Sequence, residues 1–291
     1  MKYNLPLWRP PSEADSLILQ VTIGCAHNRC AFCCMYKGKQ FSVKTWEEIE
    51  EDLAEAKATV PGVGRIFLAD GDALAADTEL LLRLLDRLYR DFPHLQRVSV
   101  YGGPKDILAK KPEELVALKE HGLGMIYMGI ESGSDRILQL MGKGVSAEEM
   151  VLAGRKGVNA GIDLSVTVIS GLGGREHWEE HASETARVLN AIAPQYLGLL
   201  TLMVKPGTPL DHWIREGRFS LLDPLETALE TRLLLASLSL TGCVFRSNHA
   251  SNYLALKGTL SQDREALLAL LDQVLREKDQ GYFRPERYRG L

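Results

Sequence analysis

Six short apolar runs alternate with amphipathic stretches along the first 210 residues of the chain. The runs predict strands at Leu17–Ile23, Arg65–Ala69, Arg97–Tyr101, Gly124–Ile130, Ile162–Ile169 and Tyr196–Met203. The stretches predict helices at Trp46–Lys57, Thr78–Asp91, Glu113–His121, Ala147–Lys156 and Trp178–Ala191. Serial β/α units build a parallel sheet with helices outside it, so the chain is predicted to be an α/β protein. Six units suggest a partial (β/α)6 relative of the eight-unit TIM barrel.

Polar and apolar residues alternate within several of these runs. Asp163, Ser165 and Thr167 alternate with aliphatic residues in the fifth predicted strand, as Gln20 and Thr22 do in the first. A parallel sheet covered by helices on both faces should instead be continuously apolar. The alternation therefore favours a barrel with a polar lumen, and polar edge strands are the alternative.

The pattern changes after the sixth strand. A long helix is predicted at Leu221–Leu240, a short strand at Val244–Ser247 and a terminal helix at Asp263–Lys278. We therefore divide the chain into a core barrel at 1–210 and a C-terminal extension at 211–291 that could cap the barrel.

Charge and hydropathy exclude several classes of protein. The 291 residues carry a net charge of −4, which gives no sign of nucleic-acid binding. Arg284, Arg287 and Arg289 make the end of the chain locally basic and are interpreted as a solvated tail. The sequence shows neither a leader peptide nor an apolar run of about 20 residues, so a cytoplasmic protein is predicted.

Four of the five cysteines crowd into ten residues. Cys25, Cys30 and Cys33 have C-x4-C-x2-C spacing, and Cys34 follows directly. Thiolates are the usual ligands of iron–sulfur clusters, and three of them would leave one iron open to a cofactor or substrate. The alternative is a structural zinc site, for which Cys34 or His27 would supply the fourth ligand.

This motif resembles the CxxxCxΦC motif of the radical S-adenosylmethionine (SAM) superfamily. Phe32 stands at the aromatic position, although the first gap is one residue longer, and the resemblance covers roughly Leu17 to Leu210. It implies a [4Fe–4S] cluster on Cys25, Cys30 and Cys33 that reductively cleaves SAM. The resulting 5′-deoxyadenosyl radical would abstract hydrogen from an unidentified substrate. A reductase or ferredoxin would donate the electron.

Three later strand ends extend the resemblance. Asp70-Gly71-Asp72 resembles the family's GGE motif, which contacts the SAM amino group. Glu131 and Ser132 lie in a GIES segment that resembles a segment of the branch near the coproporphyrinogen III dehydrogenases. The PGTPL segment that ends at Leu210 resembles another segment of the same branch. Gly171-Leu172-Gly173 resembles the GxIxGxxE region beside the adenine, although the glutamate is absent. The implied SAM contacts are Phe32, Tyr36, Asp70, Gly71, Asp72, Glu131, Ser132, Gly171 and Gly173.

Two further groups of residues are candidates for small-molecule contacts. Lys143, Arg155 and Ser165 are candidates to bind the SAM carboxylate, or are solvated polar groups.

The segment Phe245–Tyr253 is rich in polar side chains. Asn248, His249, Asn252 and Tyr253 are its candidates for substrate binding and proton transfer, and an Asn-rich turn is the alternative.

Other functions stay open at this stage. Cys34 and Cys243 are too few for an all-cysteine second cluster, though either cysteine or the Ser247–Tyr253 segment could help to bind one. A zinc-stabilised binding module and an accessory iron–sulfur protein without turnover are the alternatives to a radical SAM enzyme.

Overall fold

The computed structural model describes residues 1–290. Within them, the strands are β1 (Leu17–Gln20), β2 (Thr22–Ile23), β3 (Ser42–Val43), β4 (Arg65–Ala69), β5 (Arg97–Tyr101), β6 (Leu123–Glu131), β7 (Asp163–Ser170), β8 (Tyr196–Thr201), β9 (Val244–Ser247) and β10 (Leu256–Thr259). All six predicted strands of the core are present, and the prediction of an α/β protein with a mostly parallel sheet is confirmed.

The described helices alternate with these strands. They are α1 (Trp46–Thr59), α2 (Thr78–Asp91), α3 (Pro104–Ala109), α4 (Pro112–Glu120), α5 (Asp135–Leu140), α6 (Ala147–Asn159), α7 (Gly174–Ile192), α8 (Pro209–Arg215), α9 (Pro224–Ser237) and α10 (Arg264–Glu277). Helix α1 begins with a reciprocal capping box between Thr45 and Glu48, which satisfies two otherwise unpaired backbone N–H groups. Ser146 and Glu149 make the same pair of hydrogen bonds at the start of α6.

The chain forms two compact units. The first unit comprises Met1–Asn28, Met35–Met128 and Lys156–Leu164. Its strands pair in parallel in the order β1-β4-β5-β6.

One polar interior position of the first unit is filled by the chain itself. The fully buried carboxylate of Glu13 accepts hydrogen bonds from Ser99 and Tyr127 and pairs with Arg97. A buried carboxylate needs such donors to offset its lost hydration.

The second unit comprises Arg29–Cys34, Gly129–Arg155 and the chain from Ser165 onward. Strands β7, β8 and β9 are parallel neighbours, and β10 pairs antiparallel with β9. Helix α9 contacts both α7 and α10. Because β8 and β9 pair across the predicted boundary at Leu210, the extension adds strands to the same sheet.

The alternating pattern of the fifth predicted strand corresponds to alternating burial in β7. Leu164, Val166 and Val168 are buried, whereas Asp163, Ser165 and Thr167 are half-buried. Among the described residues, no helix is both long enough and apolar enough to cross a membrane.

Candidate functional site

In the first unit, two aspartates that follow β4 form hydrogen bonds with the backbone around Cys25. Asp70 Oδ2 accepts a hydrogen bond from the Gly24 backbone N–H at 3.0 Å, and Asp72 Oδ2 accepts one from the Ala26 N–H at 2.6 Å. Carboxylates bind backbone N–H groups strongly because the acceptor is charged. The backbone is therefore fixed on both sides of Cys25.

Gly71 lies between these two carboxylates and permits close packing. A Cβ atom there would stand 2.7 Å from a ring carbon of Tyr36 and 3.2 Å from the Cβ of Cys25. These distances leave no room for a side chain. Tyr36, which the sequence placed at the cofactor, is buried against this glycine.

Asp70 is engaged within the protein. Its fully buried Oδ2 also accepts hydrogen bonds from Gln20 Nε2 at 2.9 Å and Lys39 Nζ at 2.8 Å. Its Oδ1 is buried and has no hydrogen-bond partner among the described residues. The Lys39 ammonium thus already pairs with one oxygen of Asp70, one of the two aspartates predicted to bind the SAM amino group.

Asp72 makes this end of the first unit acidic. Burial, together with the charge of Asp72, raises the pKa of Asp106 to about 7. Burial and the same aspartate also raise the pKa of the Cys25 thiol to about 12. A cation would therefore be electrostatically favoured here.

A left-handed residue turns the chain after Cys25. Asn28 has φ of +43°, donates its backbone N–H to Cys25 Sγ at 3.3 Å, and donates its side-chain amide to the Tyr36 carbonyl at 2.8 Å. Asparagine tolerates this conformation better than most residues do.

The second unit contains the other cysteines of the motif. Cys30 and Cys33 are half-buried, and the intervening Ala31 is held by backbone hydrogen bonds to Met141 and Leu210. Phe32 packs against a buried apolar group of this unit, which comprises Ala31, Ile137, Met141, Leu172, Leu202, Leu210 and Phe219.

None of the five cysteines forms a disulfide in the described part of the chain. Within residues 1–290, no three Cys, His, Asp or Glu side chains are grouped as they would be around a single metal ion. The donor chemistry still fits an iron–sulfur cluster, because three half-buried cysteines lie within nine consecutive residues.

At the end of β6, the structure brings two predicted residues together. Lys143 Nζ lies 3.1 Å from Glu131 Oε1. Glu131 has φ of +65°, and its Oε2 is buried without a hydrogen-bond partner among the described residues. Ser132 is fully buried, and its Oγ accepts the Ser134 backbone N–H at 3.1 Å.

Two residues that the sequence reasoning missed support this strand end. His181 Nε2 lies 3.2 Å from the carbonyl oxygen of Glu131, and His181 Nδ1 lies 3.0 Å from Glu230 Oε1. The other Glu230 oxygen accepts hydrogen bonds from Ser170 Oγ and from the Gly171 N–H. A charged residue on the otherwise buried face of α9 was the available signal.

The glycines after β7 are required by the backbone. Gly171 has φ of +84°, a region that residues with a side chain rarely adopt. A Cβ on Gly173 would stand 2.7 Å from the carbonyl oxygen of His177. This turn leads directly into α7.

Two candidates for the SAM carboxylate lie apart from the end of β7. Ser165 is near the start of that strand. Arg155 donates to the Ala191 carbonyl at 2.7 Å, near the C-terminal end of α7. The N-terminal end of α7 follows Gly173, about 25 Å away along the helix. Arg155 thus binds near the opposite end of α7 from Gly173, and its contact with the SAM carboxylate stays a prediction.

The polar segment before β10 is largely held in internal contacts. The Asn252 amide accepts from Thr201 Oγ1 at 3.0 Å and donates to the Leu199 carbonyl at 2.9 Å. Tyr253 donates its hydroxyl to Glu286 at 2.9 Å. Asn252 and Tyr253 are therefore engaged within the protein, and their catalytic role stays a prediction.

The other two candidates of that segment are more accessible. Asn248 is exposed, and His249 is half-buried. Burial and the positive charge of Arg284 lower the pKa of His249, while its Nδ1 accepts the Ser251 N–H at 3.1 Å. His249 is therefore neutral near pH 7.

The prediction of a solvated basic tail is wrong for two of its arginines. Arg284 Nη1 donates to the carbonyl oxygens of His249, Ala250 and Asn252. Arg289 is almost fully buried and stacks over the Tyr253 ring at 3.9 Å. These arginines stabilise the polar turn.

A family comparison now identifies the class of protein. The family model of the Radical SAM superfamily matches residues 19–187, which is more than half of the chain. The chain belongs to the radical SAM superfamily. Its enzymes use a [4Fe–4S] cluster and SAM, and they need an electron donor.

Curated relatives share this part of the chain. The sequence is 26% identical over 172 residues to the heme chaperone HemW of Bacillus subtilis, covering 57% of this chain and 44% of the relative. It is 28% identical over 207 residues to a tRNA-2-methylthio-N(6)-dimethylallyladenosine synthase of Chlorobium phaeobacteroides, covering 68% of this chain and 44% of the relative. The chain thus spans less than half the length of these two relatives.

Solved structures support the fold. Methylornithine synthase aligns with a TM-score of 0.55 at 17% identity, covering 88% of this chain and 68% of that one. Coproporphyrinogen III oxidase (HemN) from Escherichia coli aligns with a TM-score of 0.54 at 16% identity, covering 76% of this chain and 52% of that one. At these identities the likeness concerns the fold alone.

Proposed function

We propose that this chain is a radical SAM enzyme that binds a [4Fe–4S] cluster through Cys25, Cys30 and Cys33. The supporting observation is that Asp70 and Asp72 accept hydrogen bonds from the backbone N–H groups on both sides of Cys25. When bound, the cluster supplies the electron that cleaves SAM to methionine and a 5′-deoxyadenosyl radical, which abstracts hydrogen from a substrate still to be identified. A ferredoxin or reductase donates that electron.

The chain's own residues bind and orient SAM. In the first unit, we assign the ammonium group to Asp72, because Lys39 already pairs with Asp70. In the second unit, we assign the carboxylate to Lys143 and ribose hydroxyls to the unpaired oxygen of Glu131. The remaining proposed cofactor contacts are Phe32, Tyr36, Gly71, Ser132, Ser165, Gly171 and Gly173.

The substrate contacts are proposed in the C-terminal extension. Asn248 is exposed and His249 is half-buried, so both can meet a small or protein-bound molecule. We keep the predicted division into 1–210 and 211–291 as a functional one. Five cysteines that form no disulfide within the described residues also favour a reducing compartment, the cytoplasm.

Anaerobic reconstitution tests this function. The wild-type chain should bind about four irons and four sulfides, as expected for a thiolate-bound cluster. With dithionite and SAM, it should then form 5′-deoxyadenosine. Stoichiometric zinc without sulfide would contradict the proposal and favour a zinc-stabilised module.

A second candidate is an accessory iron–sulfur protein without turnover. The similarity to a heme chaperone over 172 residues favours it. The same experiment separates the two functions, because an accessory protein would bind the cluster and yet form no 5′-deoxyadenosine.

A further inference from the structure

The hydrogen bonds of His181 fix its charge. Nε2 faces the Glu131 carbonyl at 3.2 Å, and Nδ1 faces the Glu230 carboxylate at 3.0 Å. A neutral imidazole carries a single N–H, so it can donate only one of these bonds. Burial opposes a charge here, but the carboxylate of Glu230 and the Glu131 carbonyl raise the pKa of His181. Because both ring nitrogens face acceptors, we assign His181 as an imidazolium paired with Glu230.

Glu230 extends this pair to the end of β7. Its second oxygen accepts the Gly171 N–H at 2.7 Å and the hydroxyl of Ser170. The side chains of His181 and Glu230 are each only 2% exposed. Hydrogen bonds to charged groups are strongest in such a desolvated place. One buried ion pair thus connects the backbone ends of β6 and β7.

Both connected backbone positions are unusual. Glu131 has φ of +65° although it carries a side chain, and Gly171 has φ of +84°. A left-handed residue other than glycine persists when its surroundings hold it there. His181 holds the Glu131 carbonyl, and this backbone directs the Glu131 side chain toward Lys143.

We propose that His181 and Glu230 are positioning residues for SAM, which hold the ends of β6 and β7 in the conformation that binds it. This inference rests on the proposed function. Glu230 lies in α9, beyond the family match at residues 19–187. The C-terminal extension therefore contributes Glu230 to the cofactor site, in addition to its proposed substrate contacts.

Isosteric substitutions test the pair. Glu230→Gln and His181→Gln should each weaken SAM binding to the reconstituted protein about tenfold, the size expected from a lost charged hydrogen bond. Iron and sulfide contents should stay at the wild-type level. The double variant should be no weaker than either single one, because residues that act as one unit are not additive.

Leu271→Ala is the matched control. Leu271 is fully buried in α10 of the same extension, so its truncation lowers stability without touching the pair. It should retain wild-type SAM affinity. If Glu230→Gln and His181→Gln bind SAM as tightly as Leu271→Ala does, the positioning role is refuted. If wild-type protein with a full cluster does not bind SAM, the proposed function fails instead.

A second readout needs no cluster and no activity. A pH titration of the histidines by nitrogen-15 NMR in cluster-free protein should show one imidazolium that persists to higher pH than the other histidines do. That signal should titrate at lower pH in Glu230→Gln, disappear in His181→Gln and persist in Leu271→Ala. A wild-type titration in which no histidine stays protonated above the ordinary range would overturn the ion pair.

Discussion

The two units stabilise their strand ends in different ways. In the first unit, Asp70 and Asp72 accept hydrogen bonds from backbone N–H groups on both sides of Cys25. In the second unit, a buried histidine and glutamate hold Glu131 and Gly171. The first arrangement uses residues of the motif itself, whereas the second uses a helix of the C-terminal extension.

This difference affects how each region tolerates substitution. Asp72 is near a thiol and another carboxylate, so its loss removes a hydrogen bond and also relieves repulsion. Glu230 balances a buried imidazolium, so its loss leaves an uncompensated charge. We therefore expect the second unit to be the more sensitive one.

The largest loss of stability is expected from Glu230→Ala. Removing one partner of a buried ion pair should lower the free energy of unfolding by about 3–5 kcal/mol. Urea unfolding measures this loss. In the background of His181→Ala the same substitution should cost much less, because no charge is left unpaired. A loss below about 1 kcal/mol in the wild-type background would contradict a buried, charged pair.

In the first unit, Gly71→Ala should cost about 1–3 kcal/mol, the usual range for overpacking. The new Cβ would meet the Tyr36 ring and the Cβ of Cys25. Because Cys25 must shift, the iron content after reconstitution should also fall. Gly38→Ala is the control, since nothing lies within 4 Å of its Cβ position. Equal stability and equal iron content in the two variants would refute the close packing.

Asn252→Ala tests whether the polar turn has a structural role. It removes hydrogen bonds to Thr201 and Leu199, so stability should fall by about 1–2 kcal/mol. Asn248→Ala, at an exposed position, should change stability by less than about 0.5 kcal/mol. Thermal unfolding distinguishes them. The opposite ranking would return Asn252 to the substrate site.

A pH-dependent effect on stability is expected from the acidic pair of the first unit. Burial and Asp72 raise the pKa of Asp106 from its ordinary 3.8 to about 7, while Lys105 and Lys110 oppose the shift. The folded protein thus binds this proton more tightly than the unfolded chain does. Its contribution to stability is complete below about pH 4 and is lost as the pH rises through 7.

Asp106→Asn should remove this dependence. Asparagine keeps an acceptor for the Gly103 N–H and carries no charge. Between pH 4 and pH 8, the variant should gain up to about 4 kcal/mol relative to wild type, because each unit of pKa difference corresponds to about 1.4 kcal/mol. Urea unfolding at both pH values measures the difference. Parallel stability curves would show that the two carboxylates do not interact.

The sequence was sufficient to predict the fold and the location of the motifs. Alternating apolar runs identified β4, β5 and β9 with their observed bounds. The capping boxes at Thr45 and Ser146 join residues only three positions apart, so the local sequence is enough to indicate them.

The contacts made by individual polar residues were harder to predict. Glu230 and His181 lie 49 positions apart, and nothing in the local sequence of either residue indicates their pairing. Lys39 took the place at Asp70 that had been assigned to a cofactor. Arg284 and Arg289 were assigned to solvent because their carbonyl partners lie more than 30 residues away. Such pairings depend on the folded arrangement of the chain.

The central claim is that Cys25, Cys30 and Cys33 hold the cluster while the adjacent Cys34 does not. The most direct measurement is the iron and sulfide content of Cys30→Ala and Cys34→Ala after identical anaerobic reconstitution. We predict that Cys30→Ala binds almost none, whereas Cys34→Ala retains the wild-type content of about four of each. Loss of iron in Cys34→Ala with retention in Cys30→Ala would contradict the assignment.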